Sequence, residues 1–265
     1  MEPVLVSPVL VSLQAGVLRI TLNRPEKLNA FNPALHQGLA EAMTRAESEA
    51  AVRCLLITGA GRGFCAGADL TQRDMKSNAP IDLGAGLETW YNPLVKRMRA
   101  LPKPIVCAVN GVAAGAGANF ALACDLVLAA RSASFIQAFV KIGLVPDCGG
   151  SYFLPRLAGT QRAMALAMTG ERLSAEDAER WGLIWKCVDD AQLGAEAEKI
   201  SRQLASGPTR SLGLIKKAIY SSANNDLAAQ LDLERDLQRE IGKGSDYREG
   251  VAAFLEKRKP QFKGE

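Results

Sequence analysis

The sequence contains one histidine, His36, among its 265 residues. A single imidazole cannot form a His₂ or His₃ metal centre, and a Ser–His–Asp triad is not expected either. If the protein moves protons, carboxylate, lysine, tyrosine or cysteine side chains must do so.

Paired cysteines are also absent, although there are six cysteines in total. None forms a C-x-x-C motif, and most lie inside apolar runs, as Cys107 does in the run 105–109. This pattern predicts reduced thiols in the core rather than disulfides or zinc ligands.

The sequence lacks a charge excess and a long apolar run. Its net charge of +4 comes from 32 basic and 28 acidic residues. This positive charge is small and too widely spread along the chain to indicate a nucleic-acid surface. No apolar stretch approaches the ~20 residues of a membrane helix, so no membrane association is expected. The acidic opening Met1-Glu2-Pro3 is unlike a signal peptide, and a cytoplasmic location is the expectation.

What the sequence does contain is an alternation of strand and helix patterns, followed by amphipathic helices from about residue 150. The alternation predicts an α/β fold with a mostly parallel sheet. Predicted strands are Val4–Val11, Val17–Leu22, Cys54–Thr58, Ile105–Val109 and Asp125–Ala130. The first two are predicted to form a hairpin around Gln14-Ala15-Gly16, and the continuous apolar runs 54–58 and 105–109 are typical of strands buried on both faces. Predicted helices are 33–50, 87–100, 175–182, 191–205, 212–221, 227–241 and 247–255.

Two of these helices have start signals. Asn32 followed by Pro33 predicts the start of the first helix, in which Leu35, Leu39 and Met43 recur at helical spacing, and Ser174 with Asp177 predicts a capping box before the helix 175–182. Asp74–Gly86 is predicted to be a mobile loop.

Two glycine-rich loops follow buried strands, at 58–70 and 110–119. Neither matches the G-x-G-x-x-G spacing of a dinucleotide site. In the second loop Phe120 stands where the third glycine belongs, and in the first loop Gly59, Gly61 and Gly63 have the wrong spacing. Tight strand–helix turns would explain one such loop. Two loops that open on small alanines, leaving their N–H groups uncovered, fit an oxyanion hole better.

These two loops resemble the corresponding loops of the crotonase (enoyl-CoA hydratase/isomerase) superfamily. The segments 21–30, 63–69, 91–95, 143–150 and 245–251 support the same resemblance, which covers essentially the whole chain. The resemblance implies a spiral of ββα units over residues 1–195 and a C-terminal helical trimerisation region over 196–265. It also implies a homotrimer or a hexamer built from two trimers.

The resemblance further implies which residues bind an acyl-CoA thioester. The N–H groups of Ala68 and Ala116 would hold the thioester oxygen, and Lys257 would reach CoA phosphates of an adjoining subunit, although a solvated helix face explains this lysine equally well. The CoA path is expected to run along Lys27, Leu28, Ala30, Ala66, Asp69 and Leu70. No metal or redox cofactor is expected, since CoA is part of the substrate.

The sequence departs from the hydratase pattern at the two catalytic glutamates. Aligned by the loops, those positions hold Asn119 and Phe139, which are kept as predicted substrate contacts. Asp147 is the acid that remains nearby, in an otherwise apolar stretch, and it is predicted to be the acid/base. The alternative is that Asp147 only caps a helix that begins near Gly149.

Three functions follow as alternatives. The first is isomerisation of an acyl-CoA with an aromatic-derived ring, from epoxide to oxepin, and the second is Δ3,Δ2-enoyl-CoA isomerisation or hydration. The third is RNA binding, as in one crotonase relative, for which the acidic helix 33–50 is a poor surface. Four aromatic residues could shape a ring pocket or simply fill the core: Trp90, Tyr91, Phe120 and Phe139.

Overall fold

The computed structural model describes residues 7–72 and 81–265 and contains two β-sheets in that part of the chain. The strands are β1 (Val9–Gln14), β2 (Val17–Leu22), β3 (Cys54–Gly59), β4 (Gly63–Cys65), β5 (Ile105–Val109), β6 (Val112–Ala114), β7 (Leu126–Ala130), β8 (Ser134–Ile136), β9 (Arg172–Ser174) and β10 (Lys186–Val188).

The larger sheet has the order β1-β2-β3-β5-β7-β10 and is parallel except for its first pair. The smaller sheet has the order β4-β6-β8-β9, in which only β9 runs antiparallel. After β3, β5 and β7 the chain passes directly into a strand of the smaller sheet, so that each repeat contributes to both sheets. The mostly parallel α/β architecture predicted from the sequence is confirmed.

The helices surround these sheets. They are α1 (Pro33–Ser48), α2 (Leu83–Gly86), α3 (Asn92–Ala100), α4 (Ala116–Leu122), α5 (Gly150–Ala158), α6 (Thr160–Thr169), α7 (Ala175–Arg180), α8 (Leu193–Ser206), α9 (Thr209–Ser222), α10 (Leu227–Ile241) and α11 (Ser245–Leu255). No helix of the described chain combines the length and apolarity needed to cross a membrane.

The predicted N-terminal hairpin exists, but its first strand is displaced. The strand begins at Val9 and ends at Gln14, instead of spanning Val4–Val11, and residues 4–6 lie outside the described part. Ala15 and Gly16 form a two-residue turn with φ of 49° and 77°. Such left-handed turns match the twist of paired strands, so the turn sets where β1 ends.

Helix α1 confirms the prediction made from its cap. The Asn32 side chain accepts a hydrogen bond from Leu35 N at 2.8 Å, and Pro33 takes the first helical position. Leu35, Leu39 and Met43 are buried against the larger sheet. Helical spacing of apolar residues therefore predicted which face of α1 is buried.

The region predicted as loop 74–86 and helix 87–100 differs from that prediction. Residues 74–80 lie outside the described part, while Asp82 caps α2, and a π-helical turn over Leu87–Tyr91 joins α2 to α3. In that turn Asn92 N–H donates to Leu87 O. Pro93 has no N–H for the carbonyl four residues earlier, and its ring crowds that carbonyl, so the wider turn relieves the clash.

The prediction that the chain is helical from about residue 150 onward is wrong in part. This region also contributes the strands β9 and β10. Helix α8 packs against the larger sheet through Leu193, Ala197 and Ala205, and it crosses the domain boundary predicted between residues 195 and 196. Helices α9, α10 and α11 follow and leave large apolar side chains in solvent.

Candidate active site

The two glycine-rich loops lie side by side because β4 and β6 pair in parallel. Their approach depends on the absence of a side chain at two positions. A Cβ on Gly67 would lie 2.8 Å from Ala114 O, and a Cβ on Gly117 would lie 2.3 Å from Cys65 O. Gly67 also has a φ of 89°, which favours glycine. Both glycines are therefore needed for the loops to meet.

The amides of Ala68 and Ala116 are left available at this junction. Ala68 bridges Phe31 in parallel, with Phe31 N–H donating to Gly67 O and Asp69 N–H donating to Phe31 O, so the Ala68 amide points away from that bridge. Ala116 is the first residue of α4, where helix amides have no acceptor within the helix. Neither amide donates to another described residue, and both can donate to an anionic oxygen.

Ala68 faces a cavity of about 430 Å³. Two segments form the rest of its lining, 81–92 and 144–151, and Asp147 lies in the second of them. The structure therefore brings a predicted acid/base and a predicted oxyanion donor to one cavity. Most of the surrounding side chains are apolar, which strengthens electrostatic interactions inside the site.

The turn that carries Asp147 is built from two consecutive left-handed residues, Cys148 with φ of 50° and Gly149 with φ of 81°. A cysteine in this region of φ/ψ space is uncommon and strained. Helix α5 begins after this turn with Gly149 as its N-cap, so Asp147 lies two residues before the cap position.

Asn119 holds this turn in place through its side chain. Its Nδ2 donates to Asp147 O at 2.8 Å, and its Oδ1 accepts from Gln137 Nε2 at 2.9 Å. Both amide side chains are buried, and Asn119 lies in α4, the helix that carries the Ala116 amide. The carboxamide thus links the acid-bearing turn to the second glycine-rich loop.

Neither Asn119 nor Phe139 is among the residues that line the cavity. Phe139 is buried under the second loop, where its ring lies about 3.7 Å from the position that a Gly115 Cβ would take. At the two positions that hold glutamates in hydratases, this protein therefore has Asn119, whose amide makes structural hydrogen bonds, and Phe139, whose ring packs under the second loop. Their predicted contact with substrate stays a prediction.

A second carboxylate, Asp82, lines the same cavity and was missed by the sequence analysis. It lies in the aperiodic stretch that was interpreted as a loop, where no pattern connects it to Asp147. Asp82 is exposed, and its Oδ1 accepts the Ala85 N–H at the start of α2. Its cap position was the signal that could have drawn attention to it.

The predicted CoA residues lie on two adjoining segments. Leu28 O accepts from Ala66 N at 2.9 Å, and the bridge between Phe31 and Ala68 continues this contact. These segments contain Lys27, Leu28, Ala30, Ala66, Asp69 and Leu70, of which Lys27 and Leu70 are exposed.

The Asp69 carboxylate is engaged within the protein. It accepts from Thr71 Oγ1 at 2.6 Å and from Arg24 Nη2 at 2.9 Å, and both contacts lower the pKa of Asp69. Arg24 Nη1 also donates to Ala30 O, so this ion pair ties the two segments together. A role of Asp69 in CoA binding remains a prediction.

Lys257 lies apart from the cavity, just beyond the end of α11. It is exposed and adopts a left-handed conformation with φ of 55°. Within this protomer the structure does not bring it to the cavity lining, so its predicted contact with CoA requires another subunit.

Behind the cavity, the single histidine lies in an aromatic cluster. The His36 ring stacks between the rings of Phe31 and Trp90, with centroid distances of 4.9 and 5.6 Å. It makes an edge-to-face contact with Tyr91 at a centroid distance of 4.4 Å. Burial lowers the pKa of His36 to about 4, because the charged form loses its hydration. The imidazole is therefore neutral near pH 7.

This buried histidine makes the free energy of unfolding pH-dependent. The folded pKa is below the ordinary value of 6.5, so the unfolded state binds the proton more strongly and stability falls as pH decreases below 6.5. Between about pH 7.5 and 5.5 we expect a loss of about 1–2 kcal/mol, measured by urea denaturation at fixed protein concentration. His36→Phe should remove this dependence while preserving the stack. An equal dependence in that variant would assign it to other groups.

The thiols behave as predicted from their apolar context. All six cysteines are free, and only Cys187 is not fully buried. Burial raises the pKa of Cys65 to about 12, so this thiol near the loops is not a nucleophile at neutral pH. Within residues 7–72 and 81–265 no group of three metal-ligating side chains occurs.

Comparison with known proteins gives a family match, close relatives and similar solved structures. Residues 12–265 match the family described as enoyl-CoA hydratase/isomerase. The chain is 57% identical to the 1,2-epoxyphenylacetyl-CoA isomerase of Escherichia coli K12, over 97% of this chain and 98% of that protein. It is 46% identical to a probable enoyl-CoA hydratase of Rhodobacter capsulatus, over 95% and 96% of the two chains. Among solved structures, an enoyl-CoA hydratase from Polaromonas sp. JS666 superimposes with a TM-score of 0.91 at 36% identity, covering 96% of this chain and 99% of that one.

Proposed function

The chain belongs to the enoyl-CoA hydratase/isomerase family, and from that premise we propose that it isomerises 1,2-epoxyphenylacetyl-CoA to oxepin-CoA. The observation that carries the proposal is one cavity that holds the Ala68 amide and Asp147, while Asn119 and Phe139 replace the hydratase glutamates. The 57% identity to an isomerase of this substrate supports the choice of acyl group.

In the proposed reaction Asp147 removes the proton α to the thioester carbonyl. The negative charge that develops on the thioester oxygen is stabilised by the amides of Ala68 and Ala116, which form the oxyanion hole. Donors of this kind contribute roughly 3–4 kcal/mol each to the transition state. The ring expands when the C–C bond shared by the epoxide and the six-membered ring breaks, and Asp147 then returns the proton to a ring carbon. Substrate and product are therefore isomers, and the proposed chemistry uses no metal or redox cofactor.

The missing glutamates favour isomerisation over hydration, because adding water requires one group to activate water and another to protonate carbon. We therefore expect crotonyl-CoA hydration to be at least ~10-fold slower than isomerisation of a 3-enoyl-CoA, each measured as kcat/KM by ultraviolet absorbance. Hydration as fast as isomerisation would contradict the proposal and favour the hydratase alternative. Turnover of 3-enoyl-CoA without turnover of the ring epoxide would favour the Δ3,Δ2-enoyl-CoA isomerase alternative.

We also propose that the protein is a homotrimer or a pair of trimers. Phe254 and Leu255 of α11 are 82% and 73% exposed, and Leu227 of α10 is 75% exposed. A cavity of about 560 Å³ between α9, α10 and α11 is lined mainly by apolar residues. An apolar surface of this kind on a monomer is typical of a subunit interface. Lys257 lies next to it and is proposed to complete the CoA site of an adjoining subunit.

Phe254→Glu tests this assembly in the full-length chain. A carboxylate in an apolar subunit interface is costly, so we expect light scattering at micromolar concentration to show a shift toward the monomer, with weaker CoA binding. Leu10→Glu, at a 45% exposed position on β1, is the matched control and should leave the mass unchanged. A wild-type monomer that binds CoA normally would refute both the assembly and the role of Lys257.

The RNA-binding alternative receives no support from α1. Arg45 is paired with Glu49, and Glu47 is paired with Arg97, so this helix presents a neutralised surface rather than a phosphate-binding one. We also propose a cytoplasmic location, which the proposed acyl-CoA substrate supports.

A further inference from the structure

Of the four aromatic residues that the sequence offered for a ring pocket, the structure places one in the lining of the cavity. Tyr91 is that residue, whereas Phe120 is fully buried, Phe139 packs under Gly115, and Trp90 stacks on His36. Tyr91 is therefore the aromatic side chain of this set that can contact an acyl group.

Tyr91 is held by other rings. Its ring lies 4.4 Å from the His36 ring at 80°, and 5.3 Å from the Phe31 ring at 73°, both edge-to-face arrangements. Phe31 continues the contact to Phe120 at 5.7 Å. Edge-to-face contacts on two sides restrict rotation of Tyr91, so it forms a rigid part of the cavity.

The π-helical turn 87–91 brings this about. Trp90 and Tyr91 are its last two residues, and both contact the His36 ring, Trp90 face to face and Tyr91 edge to face. A five-residue turn positions its side chains differently from a regular α-helical turn, and such turns are frequent at functional sites. Pro93, directly beyond the turn, prevents a regular α-helical hydrogen-bond pattern there.

Besides Tyr91, the cavity is lined mostly by apolar residues, with Asp82, Asn92, Asp147 and Ser151 as the polar ones. The apolar side chains include Leu87, Leu144 and Val145, the last of which is 80% exposed. A rigid aromatic side chain in the same cavity as aliphatic ones is complementary to a flat ring. A flexible acyl chain gains less from such a surface, because it loses more conformational freedom on binding.

We propose that Tyr91 is a specificity-determining residue that contacts the ring of the acyl group, with His36, Trp90 and Phe31 as the positioning residues behind it. This inference takes its substrate class from the proposed function, but it does not depend on the proposed chemical step. The ligand class is an acyl-CoA whose acyl group carries a planar six-membered ring or a ring derived from it.

Equilibrium binding tests the inference without turnover. The probes are phenylacetyl-CoA and octanoyl-CoA, which both carry eight acyl carbons, and calorimetry gives the ratio of their Kd values for each full-length variant. Tyr91→Leu should lower the preference for phenylacetyl-CoA about five- to tenfold, as expected for the loss of one aromatic contact. Tyr91→Phe should retain the preference, because it retains the ring. Tyr152→Leu, on the outside of α5, is the control and should behave as the wild type.

The outcomes separate the two proposals. An unchanged ratio in Tyr91→Leu, with a native circular dichroism spectrum, overturns the role of Tyr91. A ratio that falls equally in Tyr91→Phe also overturns it, because the hydroxyl and not the ring would then be responsible. If Tyr91→Leu does not fold, the wild type and Tyr91→Phe test the role of the Tyr91 ring. The proposal expects both proteins to prefer phenylacetyl-CoA, and absence of that preference in either one contradicts it. Failure of the isomerase proposal would show as absent turnover of the ring epoxide, with these binding ratios unaffected.

Discussion

Asp147→Asn is expected to lower isomerase turnover at least ~10²-fold with the fold intact, because the substitution keeps the shape of the side chain and removes its basicity. Two hydrogen bonds that hold this turn use the main-chain carbonyl of Asp147. Asn119 Nδ2 and Gly150 N both donate to Asp147 O, which the variant retains. Turnover is measured with the ring epoxide and with a 3-enoyl-CoA, and folding by circular dichroism.

Two further Asp→Asn variants make this result specific. Asp226→Asn changes an exposed cap of α10 away from the cavity and is expected to retain wild-type turnover. Asp82→Asn changes the second carboxylate of the cavity and keeps a side chain that can cap α2. If Asp82→Asn abolishes turnover and Asp147→Asn does not, the acid/base assignment moves to Asp82.

Ala116→Pro is expected to lower kcat by at least about 10²-fold, because losing one oxyanion donor alone costs about 10²- to 10³-fold and the ring adds steric exclusion. Proline removes the amide hydrogen and places its ring where the thioester oxygen would lie. The backbone tolerates it, since Ala116 is the first residue of α4 and the preceding Gly115 has no Cβ to clash with the ring. Turnover and the affinity for an unreactive acyl-CoA are measured on the same preparation.

Thr160→Pro is a matched control for this substitution. Thr160 is exposed, begins α6 and also follows a glycine, Gly159, so it carries the same change far from the cavity. We expect native stability and turnover from this variant. Near-normal turnover in Ala116→Pro would show that the Ala116 amide does not stabilise the transition state.

Local patterns predicted the elements whose information lies within a few residues. Asn32 followed by Pro33 predicted the start of α1, and Ser174 three residues before Asp177 predicted the start of α7, where Ser174 Oγ accepts from Asp177 N at 3.1 Å. The continuous apolar runs at β3 and β5 predicted strands buried on both faces. Each of these signals is local because a cap or a buried run is defined by its own side chains.

The three-residue strands were not predicted from the sequence, because three residues are too few to establish an alternation with a period of two. The smaller sheet consists entirely of such strands, β4, β6, β8 and β9, and each exists because a neighbour supplies its hydrogen bonds. The π-helical turn was also missed. Pro93 lies inside the helix predicted over 87–100, and no interruption was predicted there.

The sequence by itself determined the α/β alternation, the glycine-rich loops, the missing glutamates and the candidacy of Asp147, because each depends on residue type and order along the chain. The tertiary structure alone decided that Asn119 anchors the turn of Asp147, and that Asp82 and Tyr91 line the cavity. These relations join residues 28 to 65 positions apart. They arise in the folded protein, where the parallel pairing of β4 and β6 brings the loops together. They could not be predicted from the sequence, because contacts between distant residues produce no periodic pattern along the chain.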